Sequence, residues 1–270
     1  MTTRAERRRA DAKAAKQAAS DLPSLRARLK SVKLPGTPPP LADRTRKAIL
    51  AYIDSATTHG LPFAEVVNRL ADGRVAATVY QVETEEARAK GQDPQAGAAC
   101  ASGCAFCCIL SGEDGGTITA QEAVTLHGAL APLTGEPDGR DWHPKACPAL
   151  HPETRQCRAY DARPALCRSF HSTDAAACEA NVEGAGRDGA RLEGAHATYL
   201  AAQGLAREAL RGVCDAPTFS LSKVARGAVE GLDAETALMT ALHDDAALIE
   251  ERKRTGQAWR QARSAAQKRR

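Results

Sequence analysis

The chain has 270 residues, 43% of them hydrophobic but only 4% aromatic; it can bury one good core, or one core with loose ends, built mainly from Ala, Leu and Val. Its formal net charge of +4 hides an uneven layout: residues 1–30 carry nine Lys or Arg against three acids and 251–270 carry eight against one, leaving twenty basic and twenty-nine acidic residues in 31–250. The start has no signal-peptide pattern and no run of eighteen apolar residues exists, so the chain is expected to be cytoplasmic, with reduced thiols and no membrane span.

Residues 1–33 read as a polar, Ala-rich helical arm, and Leu34-Pro-Gly-Thr-Pro-Pro-Pro40 as a stiff spacer behind it. A helix is expected over about 42–57, with Ile49, Tyr52, Ile53 and Ala56 on one face. A second carries Val66, Val67 and Leu70, and a third spans roughly 75–90. A loop then delivers the chain to a cysteine cluster. After it, Thr119-Ala-Gln-Glu122 is a capping box that starts a helix reaching about Leu130. His127 on that helix reads as a half-buried core histidine. Residues 133–146 are loop. Pro164 suits the first position of a short helix, and another helix lies near 174–183. Leu192, Ala195, Tyr199, Ala202, Ala206, Ala209 and Val213 step by three and four along a buried seam. Ser220 or Ser222 begins another short piece, and a last helix shows Leu238, Leu242, Ala246 and Ile249 before dissolving into a basic tail. Strands are expected only as short pairings beside the cysteines.

Nine cysteines serve the chain, and Cys100, Cys104, Cys107 and Cys108 fall within nine residues. Cys147, Cys157 and Cys167 resume the pattern, with Cys178 as an eighth candidate. In a reducing compartment this density argues for bound metal rather than disulfides, since thiolates are the softest ligands a side chain offers. A helical 100–108 would put Cys100, Cys104 and Cys107 on one stripe, whereas the adjacent Cys107 and Cys108 would point apart. Zinc and an iron–sulfur cluster both stay open: zinc knuckles favour C-x2-C pairs, of which only Cys104/Cys107 is present, and iron–sulfur clusters accept irregular runs. The sulfurs of the two segments are expected within about 10 Å of one another, given metal–sulfur bonds near 2.3 Å. Arg163 and Arg168 are candidates to offset thiolate charge by hydrogen bonds to sulfur, and Arg158 reads as a surface ion pair. His143, His151 and His171 are secondary ligand candidates, and Cys214 is excluded.

The Cys100-x3-Cys104-x-Phe-Cys107 spacing fits that of radical S-adenosylmethionine enzymes, but no strand–helix alternation accompanies it. Another resemblance is more specific. The C-x3-C-x2-C-C cluster, Cys147-Pro-x-Leu, and Cys157-x-x-Tyr-x-x-Arg-Pro-x-x-Cys167-Arg-x-Phe together resemble the zinc- or iron-chelating domain family of YkgJ-type CxxCxxCC proteins, over about residues 97–172. The Thr119/Glu122 helix start falls where that family usually has a hydroxyl residue and a glutamate. The resemblance implies a metal-binding protein with a structural or electron-transfer role. It also implies an alternative, a metal-dependent enzyme such as a protein lysine methyltransferase, because a flagellin lysine N-methylase carries a similar domain.

The expected architecture is mainly α, a helical domain organised around a cysteine-rich metal-binding core with irregular loops. Its organisation reads as a basic arm and Pro-rich spacer over 1–40, a single helical domain over 41–250 containing the cysteine module 97–180, and a basic tail over 251–270. The basic ends are of the kind that attract nucleic acid or an acidic protein partner, although only Trp259 interleaves them as a stacking residue.

Overall fold

A computed structural model describes residues 19–93, 95–109, 114–187, 190–192 and 194–268; residues 1–18 of the expected arm lie outside that set. The architecture is mainly α, with twelve helices and four three-residue strands among the described residues. None of those helices is long and apolar enough to cross a membrane. Where the sequence suggests one helical domain over 41–250, packing groups the chain into two compact units. Among the described residues, one comprises 19–80, 197–217 and 248–268, and the other those within 81–196 and 218–247. Each joins segments far apart in the chain, which periodicity along one segment cannot reveal.

The first unit opens with α1 (Leu22–Ser31), whose N-cap Asp21 accepts a hydrogen bond from the Ser24 backbone at 2.8 Å. Leu25 and Leu29 are fully buried against α2 (Pro39–Thr58), where Ile49, Ile53 and Ala56 form the facing stripe. The Arg26 guanidinium also donates to both Asp54 oxygens, at 2.6 and 3.0 Å. Residues 19–33 are therefore a helix and its flanks packed on α2 rather than a free arm. Two helices follow, α3 (Phe63–Ala71) and α4 (Arg74–Ala89).

The second unit holds the cysteines. Strand β1 (Thr117–Thr119) leads directly into α5 (Ala120–Leu130), and α6 (Gly139–Trp142) and α7 (Ala165–Ser169) are single turns. Strand β2 (Phe170–Ser172) and α8 (Ala175–Val182) come next, then β3 (Ala190–Leu192); from residue 197 onward α9 (Gly194–Leu210) belongs to the first unit. The expected seam is buried on α9 at Ala195, Tyr199, Ala202, Ala206 and Ala209. Its outer members differ, because Leu192 lies in β3 and Val213 past the helix end.

The chain closes with β4 (Thr218–Ser220), α10 (Leu221–Val229), α11 (Ala234–Ala241) and α12 (Asp245–Lys268). The last helix expected from Leu238 through Ile249 is broken. Leu242 is exposed and bridges to Phe219, and the Asp244 carboxylate caps a fresh start at the Ala246 and Ala247 backbone, both at 3.0 Å. The expected basic tail is also helix as far as Lys268, with Arg252 and Thr255 buried.

Strand β1 pairs antiparallel with β4, Thr117 opposite Ser220, and β2 pairs with β3, Phe170 opposite Leu192. The core of the second unit comes from Ala123, Leu126 and Leu130 on α5 and Val224, Ala225 and Ala228 on α10, with Ile118 and Phe219 of the strands between. Cys147 belongs to this core, and Cys108, Cys157 and Cys167 pack against it.

Candidate metal centre

The first cysteine segment is not a helix. Cys104 closes a turn on the Ala101 carbonyl at 3.0 Å, and only 106–108 forms a tight 3-10 turn. Gly103 sits at φ +79° in that loop, and a Cβ there would lie 2.9 Å from the Thr154 carbonyl. Glycine is thus needed both for its backbone and for close approach. Cys107 and Cys108 do not point apart as expected; their sulfurs are 4.0 Å from each other. In a 3-10 turn neighbouring side chains are about 120° apart rather than on opposite faces, which allows the two thiols to meet. Cys100 is tied to β2, where its sulfur accepts from the Ser172 backbone at 3.4 Å while Ala99 donates to the Ser172 carbonyl at 2.8 Å.

The second segment docks on the first through backbone. Cys147 donates to the Cys108 carbonyl at 2.8 Å, and Ile109 and Ala146 form an antiparallel bridge. Leu150 and Cys157 bridge in turn, closing a hairpin in which Arg155 takes φ +58° and His151 donates to the Gln156 carbonyl at 2.8 Å. Gln156 reaches across to the Ser102 hydroxyl at 2.8 Å. Cys147 is held from behind by α6, where a Cβ on Gly139 would come 2.5 Å from the Cys147 carbonyl. The Asp138 carboxylate caps α6, and Arg140 joins it to Glu230 at 2.8 and 2.6 Å.

Cys167 rides on α7. Pro164 is the residue before that helix rather than its first residue, and its side chain offers no cap. The cap comes from α5: the second Glu122 oxygen accepts from the Ala165 backbone at 2.7 Å. Its first oxygen completes the expected capping box, taking the Thr119 backbone at 3.1 Å and the Thr119 hydroxyl at 3.2 Å. Cys178 is buried on α8, which packs on the 106–108 turn and is started by the Asp174 carboxylate accepting from Ala177 at 2.9 Å. Cys214 is exposed outside this unit.

Residues 99–186, a third of the chain, match the CxxCxxCC family, described as "Putative zinc- or iron-chelating domain". This segment is similar to the CxxCxxCC domain. No curated protein and no solved structure matches the chain.

Within the matched segment the thiols feel one another. Burial pushes Cys147 up to about 12, with the charges of Cys157, Asp138 and Cys107 adding to it. Burial also pushes Cys167 well above the usual thiol range, helped by Cys147, Cys157, Glu122 and Cys107. Cys104 and Cys157 are raised as well, chiefly by burial. The hydrogen bond between Cys107 and Cys108 splits that pair, drawing Cys107 down to about 7 and pushing Cys108 up. These influences link Cys100, Cys104, Cys107, Cys108, Cys147, Cys157 and Cys167 into one electrostatic neighbourhood.

The arginines divide differently from the expectation. Arg163 lies over the Tyr160 ring, 3.6 Å from its centroid, donates to the Tyr160 carbonyl at 3.1 Å, and its charge lowers both Cys107 and Cys157. Arg168 turns away to backbone, donating to the Arg163 carbonyl at 2.7 Å and the Asp161 carbonyl at 2.6 Å. It braces the loop that leads into α7. Arg158 makes the expected ion pair, with Glu136 at 3.1 Å. His127 is the expected core histidine, bonded through Nε2 to the Leu232 carbonyl at 2.9 Å. His143 accepts the Lys145 backbone N–H on Nδ1 at 3.1 Å, and His151 accepts those of Glu153 and Thr154 on Nδ1 at 3.3 Å each. His171 lies in β2 opposite Arg191.

The donor set fits zinc or iron. The Cys107–Cys108 sulfur separation is close to the about 3.8 Å that 2.3 Å bonds give on one tetrahedral ion. Among the described residues no three His, Cys, Asp or Glu side chains stand close enough to grip one ion as placed, so closing a shell requires further thiol rotation. Sequence reasoning missed the second role of Glu122 and the support of Cys147 by Gly139, because both depend on contacts between remote segments. An edge-on pair of Phe106 and Trp142, with centroids 6.1 Å apart and Arg155 over the indole at 5.2 Å, was equally unsignalled.

Proposed function

We propose that the CxxCxxCC domain gathers Cys100, Cys104, Cys107, Cys108, Cys147, Cys157 and Cys167, with Cys178 as an eighth member, around zinc or an iron–sulfur centre whose role is structural. One observation carries this reading: Cys147 is buried in the core of the unit and Cys167 packs against it, and these surroundings hold both thiols above the usual range without metal. Such thiols serve poorly as exposed nucleophiles and well as ligands, since a cation repays their ionisation. When bound, the metal supplies cross-links between the 99–109 loop and the 146–167 hairpin. The chain's own contribution is to hold thiols in pairs, to exclude water behind Cys147 and Cys167, and to place the Arg163 charge beside Cys107 and Cys157.

The exposed positions of Cys100 and Cys107 favour a second reading, in which an iron–sulfur centre exchanges electrons at the surface. Anaerobic purification followed by metal analysis and an absorbance spectrum tests both. A colourless zinc protein supports the structural role. Brown, dithionite-bleachable protein favours electron transfer, and a metal-free chain refutes both.

A further inference from the structure

Glu122 stands apart from the thiols and yet reaches the centre. Its carboxylate completes the capping box of α5 through one oxygen, at 3.1 and 3.2 Å, and grips the first backbone N–H of α7 through the other, at 2.7 Å. Helix α7 has five residues, too few to be stable alone, and the side chain before it provides no cap. Arg168 adds support at that end, bonded to the carbonyls of Asp161 and Arg163. Helix α5, by contrast, is anchored by Ala123, Leu126 and Leu130 in the core of the unit. A rigid helix therefore carries a carboxylate that fixes the start of a weak one, and Cys167 lies two residues beyond the gripped N–H. Gly116, with φ +105°, adds a contact to the same turn, since a Cβ there would meet the Leu166 side chain.

We propose that Glu122 is a positioning residue for the metal centre: by capping α5 and α7 at once it transfers the rigidity of the core to Cys167. This rests on the reading of Cys167 as a ligand. The pairing of a helix-start oxygen with a second helix 43 residues away makes Glu122 more than a local cap. Its carboxylate suits the N-terminal ends of both helices.

The test uses the full chain, reduced and stripped of metal, titrated anaerobically with Co2+, whose thiolate charge-transfer bands report the number of sulfur ligands. Four variants are compared with the parent: Cys167→Ser, Glu122→Ala, Glu122→Gln and Thr119→Val. Cys167→Ser should weaken binding and reduce the charge-transfer intensity. Glu122→Ala should weaken Co2+ binding about 10- to 100-fold, the usual range for a residue that orients a ligand, and reduce the same bands. Glu122→Gln keeps one acceptor oxygen and should fall between the parent and Glu122→Ala, which also decides the matter if the alanine variant does not fold. Thr119→Val removes the Thr119 side-chain cap and one of the two bonds to the first Glu122 oxygen but leaves the bond to Ala165 in place, and should weaken Co2+ binding less than Glu122→Gln.

If Cys167→Ser weakens binding while Glu122→Ala and Glu122→Gln bind like the parent, Glu122 is only a helix cap and the proposal is overturned. Equal losses in Thr119→Val and Glu122→Gln would overturn it too, by tracing the effect to α5 stability. Parent-like binding by Cys167→Ser removes Cys167 from the ligand set and takes the proposal with it.

Discussion

The α1–α2 pair and the cysteine-bearing loops are held together by different forces. In the former, Leu25, Leu29, Ile49 and Ile53 are fully buried across two regular helices. In the latter, order comes from single turns, two isolated bridges, backbone bonds such as Cys147 to Cys108, and thiols at the margin of the core. Apolar burial stabilises a helix pair without help, at about 25 cal/mol per Å². Loops of this kind must offset roughly 1–2 kcal/mol of backbone entropy per residue with few apolar contacts, which is where metal–sulfur bonds would matter most.

The sharpest way to break this comparison is to remove the metal. Chelation under reducing conditions should open the chain to protease between about 95 and 175, while 22–58 stays protected. Equal protection of the loops with and without chelator would show that they need no cross-link. A mutation in the helix pair should do the reverse. Ile53→Ala is expected to cost about 2–5 kcal/mol, read by denaturant unfolding of the first unit, with metal content unchanged. Gly139→Ala forces a Cβ to 2.5 Å from the Cys147 carbonyl and 2.8 Å from the Leu150 Cβ. It should cost about 1–3 kcal/mol and reduce metal retention along with stability.

Acidity sharpens the contrast further. In the metal-free chain Cys147 is held at about 12 and Cys104, Cys157 and Cys167 are also raised, against about 8.5 for an unfolded thiol. The folded state then keeps protons that the unfolded state releases, so this stability is fully present below about pH 8.5 and is lost as pH rises toward 12. Cys107, drawn down to about 7, works oppositely and loses its smaller share as pH falls from about 8.5 through 7. Thermal unfolding of the metal-free second unit should weaken steadily above pH 9, and a flat profile there would contradict the burial of these thiols. The smallest effect is expected from Asp174→Ala. It removes the N-cap of α8 for about 1 kcal/mol, and hydrogen exchange confined to 175–182 would register it.

Much of the chain was legible where one segment suffices to specify structure. The Ile49/Ile53/Ala56 stripe, the α9 seam and the Thr119/Glu122 cap are all set by neighbours within a turn or two. The cysteine spacing marked the similarity to the CxxCxxCC domain for the same reason. What could not be read depends on remote segments or on competition between short-range signals. Leu242 matches the apolar spacing of one long helix, but Asp244 starts a new helix and Leu242 is left exposed. Arg168 follows a ligand candidate in sequence, yet two backbone carbonyls claim its guanidinium. The basic end looked like a solvated tail because its charge masks Arg252 and Thr255, which are buried along α12.

The central claim is that thiols alone surround the metal of the second unit. X-ray absorption at the zinc and iron edges of the anaerobically purified full chain addresses it most directly. The account predicts a bound metal with a first shell of sulfur only, near about 2.3 Å for zinc. In Cys147→Ser or Cys167→Ser, sulfur should be lost from that shell or the metal released. A shell dominated by nitrogen or oxygen in the parent protein would contradict the account, as would a sulfur shell unchanged in both variants.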